Sequence, residues 1–174
     1  MNRSPPHGQP PQEMHLLKIQ PLPLSDAVGP RTSVLNHTTA EVFRQVCGLE
    51  LVCDPHADWT CQQVIHATMD IAGDDNALLL VALPEEVAIG MARRLTGFEV
   101  PFDSRDMTHA MEDLMLILAD HLRARLRHKG ADITLSAPLV QHGDGEILPV
   151  PYRYLKKVTL ASGLGPVLVA IIER

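Results

Sequence analysis

Aromatic side chains are scarce in this chain: three Phe, two Tyr and one Trp among 174 residues. Sequence-tolerant binding of single-stranded nucleic acid depends on aromatic stacking platforms, so the scarcity argues against that class. Positive charge is not in excess either, with 15 Lys and Arg against 21 Asp and Glu, a formal charge of −6. The concentrated basic surface that neutralises phosphates is therefore missing. No stretch of about 18 apolar residues occurs, and the N-terminus lacks the apolar core and small-residue cleavage site of a signal peptide. The expectation is a soluble cytoplasmic protein with neither nucleic acid nor membrane as a partner. Cysteine is rare and odd in number, three in all. That suits free thiols in a reducing compartment better than a disulfide framework.

Several chemical signatures are also lacking. There is no HExxH pair, and Gly143-Asp144-Gly145 has neither the Lys-Ser/Thr of a phosphate-cradling loop nor the third glycine of a dinucleotide fingerprint. We read that tripeptide as a hairpin turn. Cys47, Cys53, His56 and Cys61 include ligand types that zinc accepts, but no CxxC pair is among them, and Cys47 falls late in an amphipathic segment where a buried small apolar residue is ordinary. No metal site is expected.

What the chain does have is room for one core: 45% of its residues are hydrophobic, and its length suits a single domain. Seven of the fourteen prolines fall before residue 31, a density incompatible with a regular helix or central strand, so residues 1–33 read as a tail and 34–174 as one domain. Within the tail, Leu16-Leu17-Lys18-Ile19 is an apolar patch. From Thr38 the spacing Thr38-x2-Glu41 resembles a capping box, and Val42, Phe43 and Val46 continue at helical intervals, predicting a helix over 38–47 stopped by Gly48. Two apolar runs, 64–71 and 77–83, flank the turn material Gly73-Asp74-Asp75-Asn76 and predict a β-hairpin.

Pro84-Glu85-Glu86 opens a second helix, ending near Gly97. A third, long helix is expected over 106–129, capped by Asp103-Ser104, with Arg123, Arg125, Arg127 and Lys129 in its last turns compensating the macrodipole. Short β runs at 133–136, 150–160 and 167–172 complete an α+β domain, an antiparallel sheet packed with helices.

The long helix carries the pattern Thr108-x3-Glu112-x2-Met115-x22-Pro138. A turn of about 100° per residue places Thr108, Glu112 and Met115 together beside the core stripe of Ala110, Met111, Leu114, Ile117, Leu118 and Leu122. Leu116 falls on the far side, where a plain surface helix would carry a polar residue, which predicts a second contact surface.

This pattern resembles the motif of the chemotaxis phosphatases CheX, CheC and FliY: Asp or Ser, three residues, Glu, two residues, Asn, twenty-two residues, Pro. Thr39-Ala40-Glu41-Val42-Phe43 before Gly48, Ala92-Arg93-Arg94-Leu95-Thr96-Gly97 and Ser136-Ala137-Pro138 are similar to CheX segments in the same order, so the resemblance spans about residues 35–174. It implies a CheX-like fold and a receiver domain of a response regulator (CheY-like) as partner, whose aspartyl phosphate the family hydrolyses. It also implies that this chain holds no cofactor, magnesium being carried by the receiver.

Carried over, Glu112 takes the family's lysine-contacting role, Thr108 stands for its Asp or Ser, and Met115 occupies the position of the water-orienting Asn; Glu112, Leu116, Ala119 and Pro138 are the expected binding positions. A thioether is a poor group for orienting a water, so little hydrolysis is expected. The stretch Leu118-Ala119-Asp120 also departs from the small Ala-Gly-Asn-like continuation of the family helix. Two other readings stand beside this one: an active phosphatase using Asp113 or His109, and a homodimerising module that buries Met115 and Leu116 against a second subunit.

Overall fold

A computed structural model describes residues 30–54, 59, 61–73, 76–128, 130, 133–144 and 154–173. Among these residues three helices, α1 (Pro30–Cys47), α2 (Glu85–Thr96) and α3 (Arg105–His128), pack on one sheet of seven strands: β1 (Val52–Cys53), β2 (Val64–Ala72), β3 (Ala77–Pro84), β4 (Thr134–Leu135), β5 (Leu139–Gly143), β6 (Tyr154–Ser162) and β7 (Gly165–Glu173). The sheet runs β1-β6-β7-β3-β2-β4, with β5 also on β2, and every pairing is antiparallel. The predicted α+β class and the β2–β3 hairpin are both present.

β3 is buried along its whole length. A strand apolar on both sides belongs to a sheet covered on both faces. On one face, Ile65, Ala67, Met69, Leu79, Val81, Leu83, Val167 and Val169 pack with residues of all three helices. On the other, Val64, Leu78, Leu80, Ala82, Leu168, Ala170 and Ile172 form a separate buried cluster that contains no helical residue.

α1 begins at Pro30, eight residues before the expected start. Thr38 sits mid-helix, its hydroxyl donating to the Val34 carbonyl at 2.6 Å, one turn back. A threonine can make this bond inside a helix as readily as it caps one, so Thr38-x2-Glu41 imitated a capping box. Gly48 ends the helix at φ 60°, and the Leu49 amide donates to the Phe43 carbonyl. Gly97 ends α2 in the same left-handed conformation.

β4 and β5 are two pieces of one edge strand. Leu135 lies opposite Ile71 and Leu139 opposite Thr68, so three residues of the edge face two of β2, which is a β-bulge. Ser136 holds it: its amide donates to the Asp70 carbonyl (3.0 Å), while its hydroxyl accepts from the Asp70 amide (2.9 Å). Pro138, which has no N–H to give a ladder, sits at this interruption.

The expected hairpin turn at Gly143-Asp144-Gly145 runs into Gly145, which lies outside the described residues; among the described residues β5 is not hairpinned to β6. β5 ends at Gly143, and the next strand in the chain, β6, is separated from it by β2, β3 and β7.

Candidate functional site

α3 is the element on which the sequence-predicted site stands. Ser104 caps it, its hydroxyl accepting from the Met107 amide at 3.1 Å. Asp106 lies in the first turn and Arg125, Arg127 and His128 in the last, each sign favoured by the helix dipole at its end. The helix packs against α1, α2, β2 and β5. Glu41 of α1 and Arg125 of α3 form an ion pair with both side chains half-buried, tying the two helices together.

The core side of α3 is wider than the periodicity indicates. Met107, Ala110, Met111, Leu114, Met115, Leu118, Ala119 and Leu122 are all buried. Met115 is fully buried and Ala119 is 2% exposed, so neither of these two expected site positions presents its side chain at the surface of the chain. The reason is that α3 lies between neighbours. A helix flanked by α1 and α2 as well as a sheet buries an arc of roughly half its circumference, so positions beside the stripe become interior. Met115 is buried within its own chain, without a second subunit.

Thr108 and Glu112 lie at the rim, half-buried, and Pro138 is half-buried at the edge-strand bulge. Among the described residues Glu112 makes no hydrogen bond or ion pair. The solvent face carries Asp106, His109, Asp113, Leu116, Asp120 and Ala124, and Leu116 is 47% exposed at its centre. His109, Asp113, Leu116 and Asp120 fall within an arc of about 60° at the usual turn per residue.

The outward-facing set is therefore His109-x3-Asp113-x2-Leu116, the same internal spacing as Thr108-x3-Glu112-x2-Met115, displaced by one residue. Exposed Leu116 was the signal in the sequence that the true outer face lay here.

No group of three or more metal-ligating side chains gathers among the described residues. Burial pushes the Cys47 thiol up to about 11, only partly opposed by the Arg94 guanidinium, so it is no ready thiolate ligand. Cys53 is exposed on β1, Cys61 is half-buried, and His56 lies outside the described residues. No described helix is long and apolar enough to cross a membrane.

No protein-family model and no curated protein sequence matches the chain. Solved structures do. The chemotaxis protein CheX from Vibrio vulnificus superposes with a TM-score of 0.74 at 14% identity, over 86% of this chain and 100% of that one. CheX from Desulfovibrio desulfuricans gives 0.69 at 18% identity, over 83% and 99%. The CheX of a CheX–CheY–BeF3–Mg complex from Borrelia burgdorferi gives 0.66 at 15% identity, over 82% and 96%. The chain thus has the fold shared by CheX, CheC-like and FliY proteins.

Proposed function

We propose that this chain is a chemotaxis-type signalling protein that binds a response-regulator receiver domain through the solvent face of α3 and does not efficiently hydrolyse its aspartyl phosphate. The partner is suggested by the Borrelia burgdorferi structure of the same fold, a CheX bound to CheY. The observation that carries the loss of hydrolysis is the composition of α3. From Arg105 to His128 it contains no Asn or Gln, the position of the family Asn is filled by fully buried Met115, and the neighbouring outward position is Leu116.

An in-line attack on a phosphoryl group is accelerated mainly by positioning, and a carboxamide positions water by donating and accepting at once. Leucine can do neither. What remains on the face is suited to docking: an exposed apolar side chain among the carboxylates Asp106, Asp113 and Asp120, with Glu112 at the rim. Such a surface complements a receiver that presents a lysine beside apolar groups.

The test is titration of the full chain with a beryllofluoride-charged receiver from the same cell, using Leu116→Asp and the double variant Glu112→Ala/Asp113→Ala. Affinity falls about tenfold or more for each, the equivalent of about 1.4 kcal/mol. Unchanged affinity in both variants, with the fold intact by circular dichroism, rejects the docking face. The same mixture assays hydrolysis: the aspartyl-phosphate lifetime is unaffected by stoichiometric protein. A shortened lifetime that reverts in His109→Ala or Asp113→Ala would instead establish those exposed side chains as the water-orienting groups.

A further inference from the structure

We infer that the edge strand β5 is a proton-controlled latch: a proton taken up by His66 releases β5 from β2 while the central strands of the sheet stay paired. His66 stands on β2 between Ala82 of β3 and Gln141 of β5. It is 6% exposed, and alternation along β2 puts it on the helix-free face with Val64. The Gln141 carboxamide oxygen can only accept, so Nε2 carries the hydrogen of their 3.2 Å bond and the neutral ring leaves Nδ1 bare. Nδ1 is buried and has no partner. A bare lone pair there is tolerated. Protonation instead buries a charge together with a donor that has no acceptor, which costs far more.

The surroundings offer that charge nothing. On the same face, β2 contributes Val64 and Thr68, β3 contributes Leu80, Ala82 and Pro84, and β5 contributes Leu139, Gln141 and Gly143, none of them titratable. Trp59 and Cys61 also pack on this face, and burial raises the Cys61 pKa, keeping that thiol neutral. Among the described residues the groups that act on the charge of the ring are Gln141, favourably, and His142, unfavourably, with no carboxylate.

Geometry selects β5 as the element that yields. The ring edge bearing both nitrogens faces it: a Cβ at Gly143 would lie 3.9 Å from Cε1, the carbon between them. Water therefore reaches Nδ1 by displacing β5. That strand has five residues, none of them buried, and among the described residues it pairs with β2 alone, whereas β3 is buried throughout and paired on both sides. Local opening follows the element with the fewest buried contacts. The release stops at Ser136, whose two hydrogen bonds clamp the edge to Asp70. At the other end, His142 meets Phe102 edge-on, with ring centroids 5.0 Å apart, and Phe102 leads into α3. Opening β5 withdraws this contact from the start of the helix.

Burial holds the His66 pKa below its ordinary value in the closed sheet. The released strand returns it to about 6.5, so the open form binds the proton more readily and its share grows as pH falls below that value. From pH 7.5 to 5.5 the opening equilibrium rises by up to about tenfold. Amide hydrogen exchange of the full chain at these two pH values, corrected for the intrinsic pH dependence of exchange, reads the opening. Amides bonded between β2 and β5 should lose protection severalfold, while those between β3 and β7, and that of Ser136, keep theirs. The loss should vanish in His66→Gln and persist in His142→Gln. If His66→Gln fails to fold, the unaltered protein decides: the imidazole nitrogen shifts of His66 titrate over the pH range in which β2–β5 protection falls. Unchanged β2–β5 protection, an equal loss between β3 and β7, or a loss that vanishes in His142→Gln overturns the inference. So does a His66 ring that stays neutral while protection is lost.

Discussion

Met115 and Leu116 are adjacent on α3, and one is fully buried while the other is 47% exposed. Both are apolar and of similar size. The difference is made by the neighbours: one rotation of about 100° carries the side chain from the junction of helix and core to open solvent. A motif on a helix is therefore a statement about a face, and a shift of one residue exchanges an interior side chain for a surface one. Here the spacing to Pro138 selects Met115, whereas solvent access selects Leu116.

The largest effect expected from this contrast is at Met115. Restoring the family residue by Met115→Asn would place a carboxamide in a filled apolar core and remove a thioether that packs there. We expect a loss of about 3–5 kcal/mol in urea denaturation, combining lost packing with an unpaired buried amide, and no gain of hydrolysis. A stable Met115→Asn protein that shortens the aspartyl-phosphate lifetime would show that this position reaches the surface after all.

A smaller effect belongs to His66, a titratable side chain that the interior does accept. It is 6% exposed on the helix-free face, its Nε2 donating to Gln141 Oε1 at 3.2 Å, and its buried Nδ1 has no partner. Burial holds its pKa below the ordinary value; the bond to Gln141 opposes this, and His142 adds to it. The unfolded chain then binds the proton more readily than the folded one, so stability falls as pH drops below about 6.5, the ordinary histidine value. Denaturation midpoints measured from pH 7.5 to 5 should decline, and His66→Gln should flatten that decline. A variant whose pH profile parallels the parent's would mean that His66 is not the group responsible.

Much of this was legible in the sequence, and the failures share a cause. α2, α3 and the β2–β3 hairpin follow from local periodicity and punctuation such as Pro84, Gly97 and Ser104. The early start of α1 was hidden because Thr38-x2-Glu41 matches a capping box whether or not the chain is already helical. Met115 and Ala119 were placed outside the core because a helical wheel knows the helix but not α1 and α2 beside it. Local residues around Gly143 likewise do not reveal that β6 pairs with β7 and β1 on the far side of the sheet. In each case the missing information was the identity of a spatial neighbour.

The smallest effect on stability, and the sharpest test of the contrast, is Leu116→Asn. Leu116 is about half exposed and lies among polar groups, so its replacement should alter the denaturation midpoint by no more than about 0.5 kcal/mol. Its consequence is chemical instead. The substitution sets a carboxamide on the solvent face one helical turn after the Asp113 carboxylate, which reproduces the family's internal spacing of acid and amide. If the face docks a receiver as proposed, the lifetime of the aspartyl phosphate should shorten on adding this variant and remain unchanged with the parent. Should the variant bind the receiver yet leave the lifetime unchanged, the defect extends beyond one side chain, and the geometry set by Pro138 and the edge-strand bulge becomes the place where the site diverged.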